Sequence, residues 1–135
     1  MSSLFTPYKL GPVTLRNRTV RSAAFESMGR HFGPTEQLKE YHVSVARGGV
    51  GMTTLAYAAV CRSGLSFDKQ LWLRPEIVPG LRGITDAVHR EGAAAGIQIG
   101  HCGNMTHLTT AGQIPIGAST GFNLYAYTPC LLYTS

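Results

Sequence analysis

Charge is scarce in this chain. Only 14% of its 135 residues are Asp, Glu, Lys or Arg, and just seven are acidic, where an average soluble protein carries roughly 25% charged residues. That scarcity excludes a disordered, charge-solvated segment. Cysteine is equally sparse: Cys61, Cys102 and Cys130 form no CxxC pair, which argues against a disulfide scaffold and fits a reducing cytoplasm. No apolar run approaches the roughly 18 residues of a membrane helix. The start, Met1-Ser2-Ser3-Leu4-Phe5, lacks the basic-then-apolar layout of a signal peptide. The net charge of +5 comes from scattered Lys and Arg, of which only Arg16, Arg18 and Arg21 lie close together. With no basic stripe interleaved with aromatics, neither nucleic acid nor membrane is an expected partner.

Hydrophobic residues (44%) and sixteen glycines are abundant. That mixture suits strands buried on both faces with tight turns between them. Residues 4–15 read as two short extended pieces about Gly11-Pro12. Thr19 to Ala24 is a candidate core strand ending in small residues, followed by loop to Gly33. Thr35 can cap a helix whose Leu38, Tyr41, His42 and Val45 fall at helical spacing and whose end is Arg47-Gly48-Gly49. Val50 to Tyr57 reads as a second strand and Ala58 to Arg74 as a long loop. A second helix runs from Pro75 to Gly92, with Leu81, Ile84 and Val88 inward and Pro79-Gly80 interrupting its first turn. Ala93 to Ile99 reads as a third, buried strand, and the chain from His101 onward as loop.

This alternation implies parallel strands joined by crossover helices. An open doubly wound sheet and a (β/α)8 barrel both allow it, and in both the ligand meets the carboxyl ends of the strands. The first strand-to-helix turn lacks GxGxxG, and no GxxxxGK[ST] occurs, which favours the barrel. Within this frame Gln98 stands out, because a buried amide needs partners; it either pairs with backbone or turns towards a ligand.

Four stretches carry a resemblance. Leu4-Phe5-Thr6-Pro7 with Lys9-Leu10-Gly11 and Thr14-Leu15-Arg16-Asn17-Arg18 is similar to the opening hairpin of the old yellow enzyme family of NADH:flavin oxidoreductases. Ala46-Arg47-Gly48-Gly49-Val50-Gly51 resembles that family's first-helix end and second strand. Gly96-Ile97-Gln98-Ile99-Gly100-His101-Cys102-Gly103 resembles its third strand, usually Gln-Leu-x-His-x-Gly-Arg. Pro115-Ile116-Gly117-Ala118-Ser119 resembles the loop that follows. The resemblance implies the hairpin and about the first three βα units of a (β/α)8 TIM barrel over residues 1–129, holding FMN, with NAD(P)H as electron donor. Hydride would then pass to an activated C=C bond of an enone- or enoate-type small-molecule substrate. It also implies that Ser22, Ala23, Ala24 and Phe25 line the flavin edge, that Tyr57 sits near the ring system, and that Gln98 hydrogen-bonds its pyrimidine part. A homo-oligomer of the intact protein stays open.

The chain departs from the family pattern in places. Phe25 stands where several relatives place a polar side chain, and Asn104 where the loop usually has Arg. The family's substrate-binding His pair, Tyr proton donor and phosphate loops find no counterpart, so no catalytic residue is assigned and the chain alone is expected to be inactive. Residues 130–135 do not match the family's continuation and are read as foreign. The alternative is a cofactor-free module, inert or an assembly partner. His101, Cys102 and His107 are read as structural rather than as metal ligands, His42 as a packed or surface residue, and Cys61 and Cys102 as unreactive.

Overall fold

Thr35 opens the first long helix as its sequence suggests. Its backbone is extended and its hydroxyl accepts the Leu38 N–H at 3.1 Å. The computed structural model describes residues 3–124 and 126–132. Helix α1 (Glu36–Arg47) buries Leu38, His42, Val43 and Ala46 and ends at Gly48, with Gly49 in the left-handed region at φ +100°. A single 3-10 turn, Pro75–Ile77, precedes α2 (Val78–Arg90). The break that Pro79 suggests is therefore at Val78, and Pro79 itself sits in the first helical turn, where no N–H is required.

A hairpin, β1 (Tyr8–Leu10) against β2 (Val13–Leu15), opens the fold. The next residue, Arg16, ties it to both helices. Its Nε donates to Val50 O at 3.0 Å, Nη1 to Glu91 O at 2.7 Å, and Nη2 to Ala46 O. A cation here meets the carbonyl-rich ends of α1 and α2.

The central strand is β4 (Met52–Ala59). Strand β6 (Ala94–Gly100) pairs with it in parallel along one edge, from Met52↔Ala94 to Ala59↔Gly100. The other edge carries two short parallel strands, β3 (Val20–Arg21) at Met52–Thr53 and β5 (Leu71–Trp72) at Ala58–Ala59. Leu38, Ala46, Leu55, Ala58, Leu71, Ile84, Val88 and Ala93 form one apolar core between the helices and the sheet. Beyond β6 come α3 (Leu108–Ala111) and a small sheet in which β9 (Thr128–Leu132) lies between β7 (Ile116–Gly117) and β8 (Gly121–Asn123).

Several expectations change. The first strand spans only Val20–Arg21, with Thr19 O accepting the Gly51 and Met52 N–H groups just before it, and Ser22 to Ala24 leave the sheet. The stretch after Ala58 holds a 3-10 turn, Arg62–Gly64, and β5. The chain after His101 is not bare loop, and Cys130 to Leu132 lie in β9; Tyr133 to Ser135 fall outside the described residues. Most consequentially, β6 is not buried. Among the described residues it pairs with β4 alone, and Ile97, Gln98 and Ile99 are exposed.

Candidate functional site

The register of β4 against β6 shifts between Leu55↔Ile97 and Ala58↔Ile99, so Ala56 and Tyr57 together face Gln98. This β-bulge decides which side chain reaches the open face of the sheet. Leu55 and Ala58 both stay in the core, Ala56 is buried, and Tyr57 is turned to the side of Gly100. Tyr57 and Gln98 thereby line one cavity of about 280 Å³ with Ile99, Gly100, His101 and Cys102. The cavity lies at the carboxyl ends of the strands, where ligands of parallel sheets bind. The Gln98 amide is exposed there, and no described residue hydrogen-bonds it.

Tyr57 is held from behind. Its hydroxyl meets Ser66 Oγ, which donates to Gln70 Oε1 at 3.3 Å, while the Ser66 N–H donates to the same oxygen at 2.7 Å. Burial, then the neighbouring Cys102, pushes the Tyr57 hydroxyl above its ordinary value, against a smaller opposing pull from Gln70. Burial likewise pushes the Cys102 thiol up, and its sulfur points at Leu65 O at 3.2 Å.

Ser22, Ala23, Ala24 and Phe25 follow the carboxyl end of β3 but do not line the Tyr57–Gln98 cavity. Phe25 stacks on Phe67 with ring centres 4.9 Å apart, and Phe67 is the residue after Ser66. The structure thus brings Tyr57 and Gln98 together and sets the Ser22–Phe25 segment on the adjoining strand end.

A second cavity of about 640 Å³ opens beside the first, lined by Val60, Cys61, Ser63, His101, Gly103 and the Ile116–Ala118 stretch. His101 borders both. The Gly103 N–H donates to its Nδ1 at 2.9 Å, so Nε2 carries the proton and points at Ser63 Oγ, 3.3 Å away. Ser63 Oγ is in turn 3.1 Å from Cys61 Sγ. Gly64 permits this approach, since a Cβ there would lie 2.8 Å from His101 Cδ2. Among the described residues no three His, Cys, Asp or Glu side chains converge as a metal site.

Two site-building features escaped sequence reasoning. Gly64 sits in a stretch that reads as plain loop. Glu26 also sits in what reads as loop, yet its side chain is only 3% exposed and contacts Arg21, His42 and Ala56. Its one sequence signal is a lone acid directly after an apolar segment in an acid-poor chain. His42, expected to be a packed or surface residue, is wholly buried, with Nδ1 2.8 Å from Thr53 Oγ1.

The chain is 48% identical over 101 residues to 4,4'-dithiodibutanoate disulfide reductase of Rhodococcus erythropolis, covering 75% of this chain and 25% of that protein. It is 37% identical over 127 residues to NADPH dehydrogenase of Listeria monocytogenes serotype 4b, covering 91% of this chain and 37% of that one. It therefore spans only about a quarter to a third of these relatives' lengths. Among solved structures it superposes on the old yellow enzyme homologue from Zymomonas mobilis with TM-score 0.87 at 23% identity, over 98% of this chain and 40% of that one. Morphinone reductase in complex with tetrahydroNAD gives 0.88 at 19% identity, over 100% and 42%. These likenesses show the fold, and the parallel arc around β4 is part of a (β/α)8 barrel. Residues 3–129 match the NADH:flavin oxidoreductase / NADH oxidase family, and the chain belongs to that family, among the old yellow enzymes.

Proposed function

We propose that this chain forms one side of the cofactor site of an FMN-dependent oxidoreductase that takes electrons from NAD(P)H and passes hydride to an activated C=C bond of an enone- or enoate-type small molecule. The observation that supports this best is the shared cavity of Tyr57 and Gln98 at the strand ends. The residues present fit FMN: the Gln98 amide offers donor and acceptor together, as a pyrimidine edge requires, and Tyr57 presents a ring beside it. Bound FMN supplies the hydride chemistry. Gln98 orients that edge, Ser22, Ala23, Ala24 and Phe25 offer main-chain groups along it, and the Ser66–Gln70 pair fixes Tyr57. Three free cysteines support a cytoplasmic setting.

Titration of the purified chain with FMN, read by flavin absorbance and fluorescence, tests the proposal. With one side of the site present, weak binding that does not survive gel filtration is expected. Gln98→Ala should weaken it about 3- to 10-fold, the worth of one hydrogen bond. Equal affinity in the variant would remove Gln98 from the site.

A second substrate class, an organic disulfide, is supported by Cys61. This thiol, expected from sequence to be unreactive, opens onto the larger cavity beside Ser63 and His101, and the Rhodococcus relative is named for a disulfide. Iodoacetamide labelling of the folded chain should modify Cys61 well ahead of Cys130, which is 2% exposed. A Cys61 that stays unlabelled would discard this reading.

A further inference from the structure

We propose that Glu26 is a positioning residue that locks the Ser22–Phe25 segment and the Tyr57 backbone into one rigid cofactor-facing unit. This rests on the FMN reading above, and it concerns a residue which that reading does not use.

Strand β3 covers one edge of β4 at Met52–Thr53 and β5 covers it at Ala58–Ala59, so along that edge Thr54 to Tyr57 have no strand beside them among the described residues. Unpaired buried backbone groups are costly. Two side chains take the place of the missing strand: Arg21 Nη1 donates to Thr54 O at 2.7 Å, and Glu26 Oε2 accepts the Ala56 N–H at 3.0 Å. The two then meet, with Arg21 Nη1 2.8 Å from Glu26 Oε1. Arg21 and Glu26 flank the four residues Ser22 to Phe25. Their ion pair therefore closes the segment into a loop, and the Ala56 contact fastens that loop one residue before Tyr57. The main chain of Ser22–Phe25 can leave the sheet and present itself to a ligand because side chains, not its own amides, complete the β4 edge.

The surroundings require a carboxylate. Oε1 also faces His42 Nε2 at 3.4 Å, and neither the Arg21 nor the His42 contact is aligned as a hydrogen bond. Three groups from three elements meet the carboxyl: the Arg21 cation from β3, the His42 imidazole from α1 and the Ala56 amide from β4. Arg21 is itself fixed by Tyr41, whose hydroxyl accepts from Nε at 3.2 Å and whose ring lies 4.9 Å beneath the guanidinium. A Gln at position 26 would keep the acceptor for Ala56 but turn an NH2 towards a cation. Ser27, immediately after Glu26, is held at φ +56°, a left-handed conformation that persists in a non-glycine only when its neighbours enforce it.

The test measures FMN affinity of the full chain, its Glu26→Gln and its Glu26→Asp variants across pH, alongside amide hydrogen exchange and far-UV circular dichroism. The expected result is at least a 10-fold loss of affinity in Glu26→Gln, with faster exchange confined to residues 22–27 and 56–57. Glu26→Asp should recover part of the loss, and the wild type should lose affinity on acidification where Glu26→Gln does not. Wild-type binding matched by Glu26→Gln overturns the positioning role and leaves the FMN reading intact. Absence of any FMN binding by the wild type removes the FMN reading and this inference with it. Collapse of the helical signal in Glu26→Gln assigns Glu26 to fold stability alone and overturns the proposal.

Discussion

At Glu26, burial and charge pull in opposite directions. Burial, the largest single influence, raises the carboxyl's pKa. His42, the Ala56 amide and the charge of Arg21 together outweigh it, so the group titrates below the ordinary carboxylate value of 4.5. A carboxyl whose folded value lies below its unfolded one stabilises the fold at pH above the unfolded value. That contribution is lost as pH falls through the folded value. The urea midpoint of the wild type should therefore drop progressively as pH falls below the unfolded carboxyl value of 4.5. Glu26→Gln should start lower and lack this component of the slope. Parallel slopes in the two proteins would show that the carboxylate is not what titrates.

At the scale of elements, the two glycines of α2 make opposite predictions from one helix. Gly80 touches α1's entry: a Cβ there would lie 2.5 Å from Pro34 Cγ, and a proline ring cannot swing aside. Gly83, one turn later, has nothing within 4 Å of its Cβ position. Gly83→Ala should stabilise the fold by up to about 1 kcal/mol through helix propensity, whereas Gly80→Ala should destabilise it by about 1–3 kcal/mol through overpacking. Urea midpoints moving in opposite directions would verify the α1–α2 contact, and a shared direction would refute it.

The same elements show what the sequence made legible. Helix α1 was readable because Thr35, Arg47 and Gly48-Gly49 act locally, each through its own backbone. The β4–β6 pair was readable from its apolar runs, and the family-marked positions Tyr57 and Gln98 do meet across it. The bulge at Ala56–Tyr57 was not readable, because it is a property of two strands in register, and only it settles that Tyr57 rather than Ala56 faces the cavity. β5, with two residues, has no periodicity to detect. Glu26 is fixed by partners 5, 16 and 30 residues away at Arg21, His42 and Ala56, and no local pattern announces contacts of that kind. The expected burial of β6 failed for a related reason: an apolar run reports a strand's preference for neighbours but not whether the described chain supplies them.

For the molecule as a whole, β6 sets the behaviour in solution. Ile97 is 37% and Ile99 58% exposed, and among the described residues the far edge of this strand has no partner. An exposed apolar edge strand pairs readily with another chain, and a lysine placed on it is the usual deterrent. The purified chain should therefore associate as its concentration rises, and Ile99→Lys should shift it towards the 14.5 kDa monomer. Light scattering across a concentration series reads this directly. Ile99 forms its backbone pair with Ala58 whatever its side chain, so the substitution leaves the β4–β6 register in place. Association that persists unchanged in Ile99→Lys would locate the contact elsewhere, with the exposed hairpin residues Tyr8, Leu10 and Val13 the next surface to substitute.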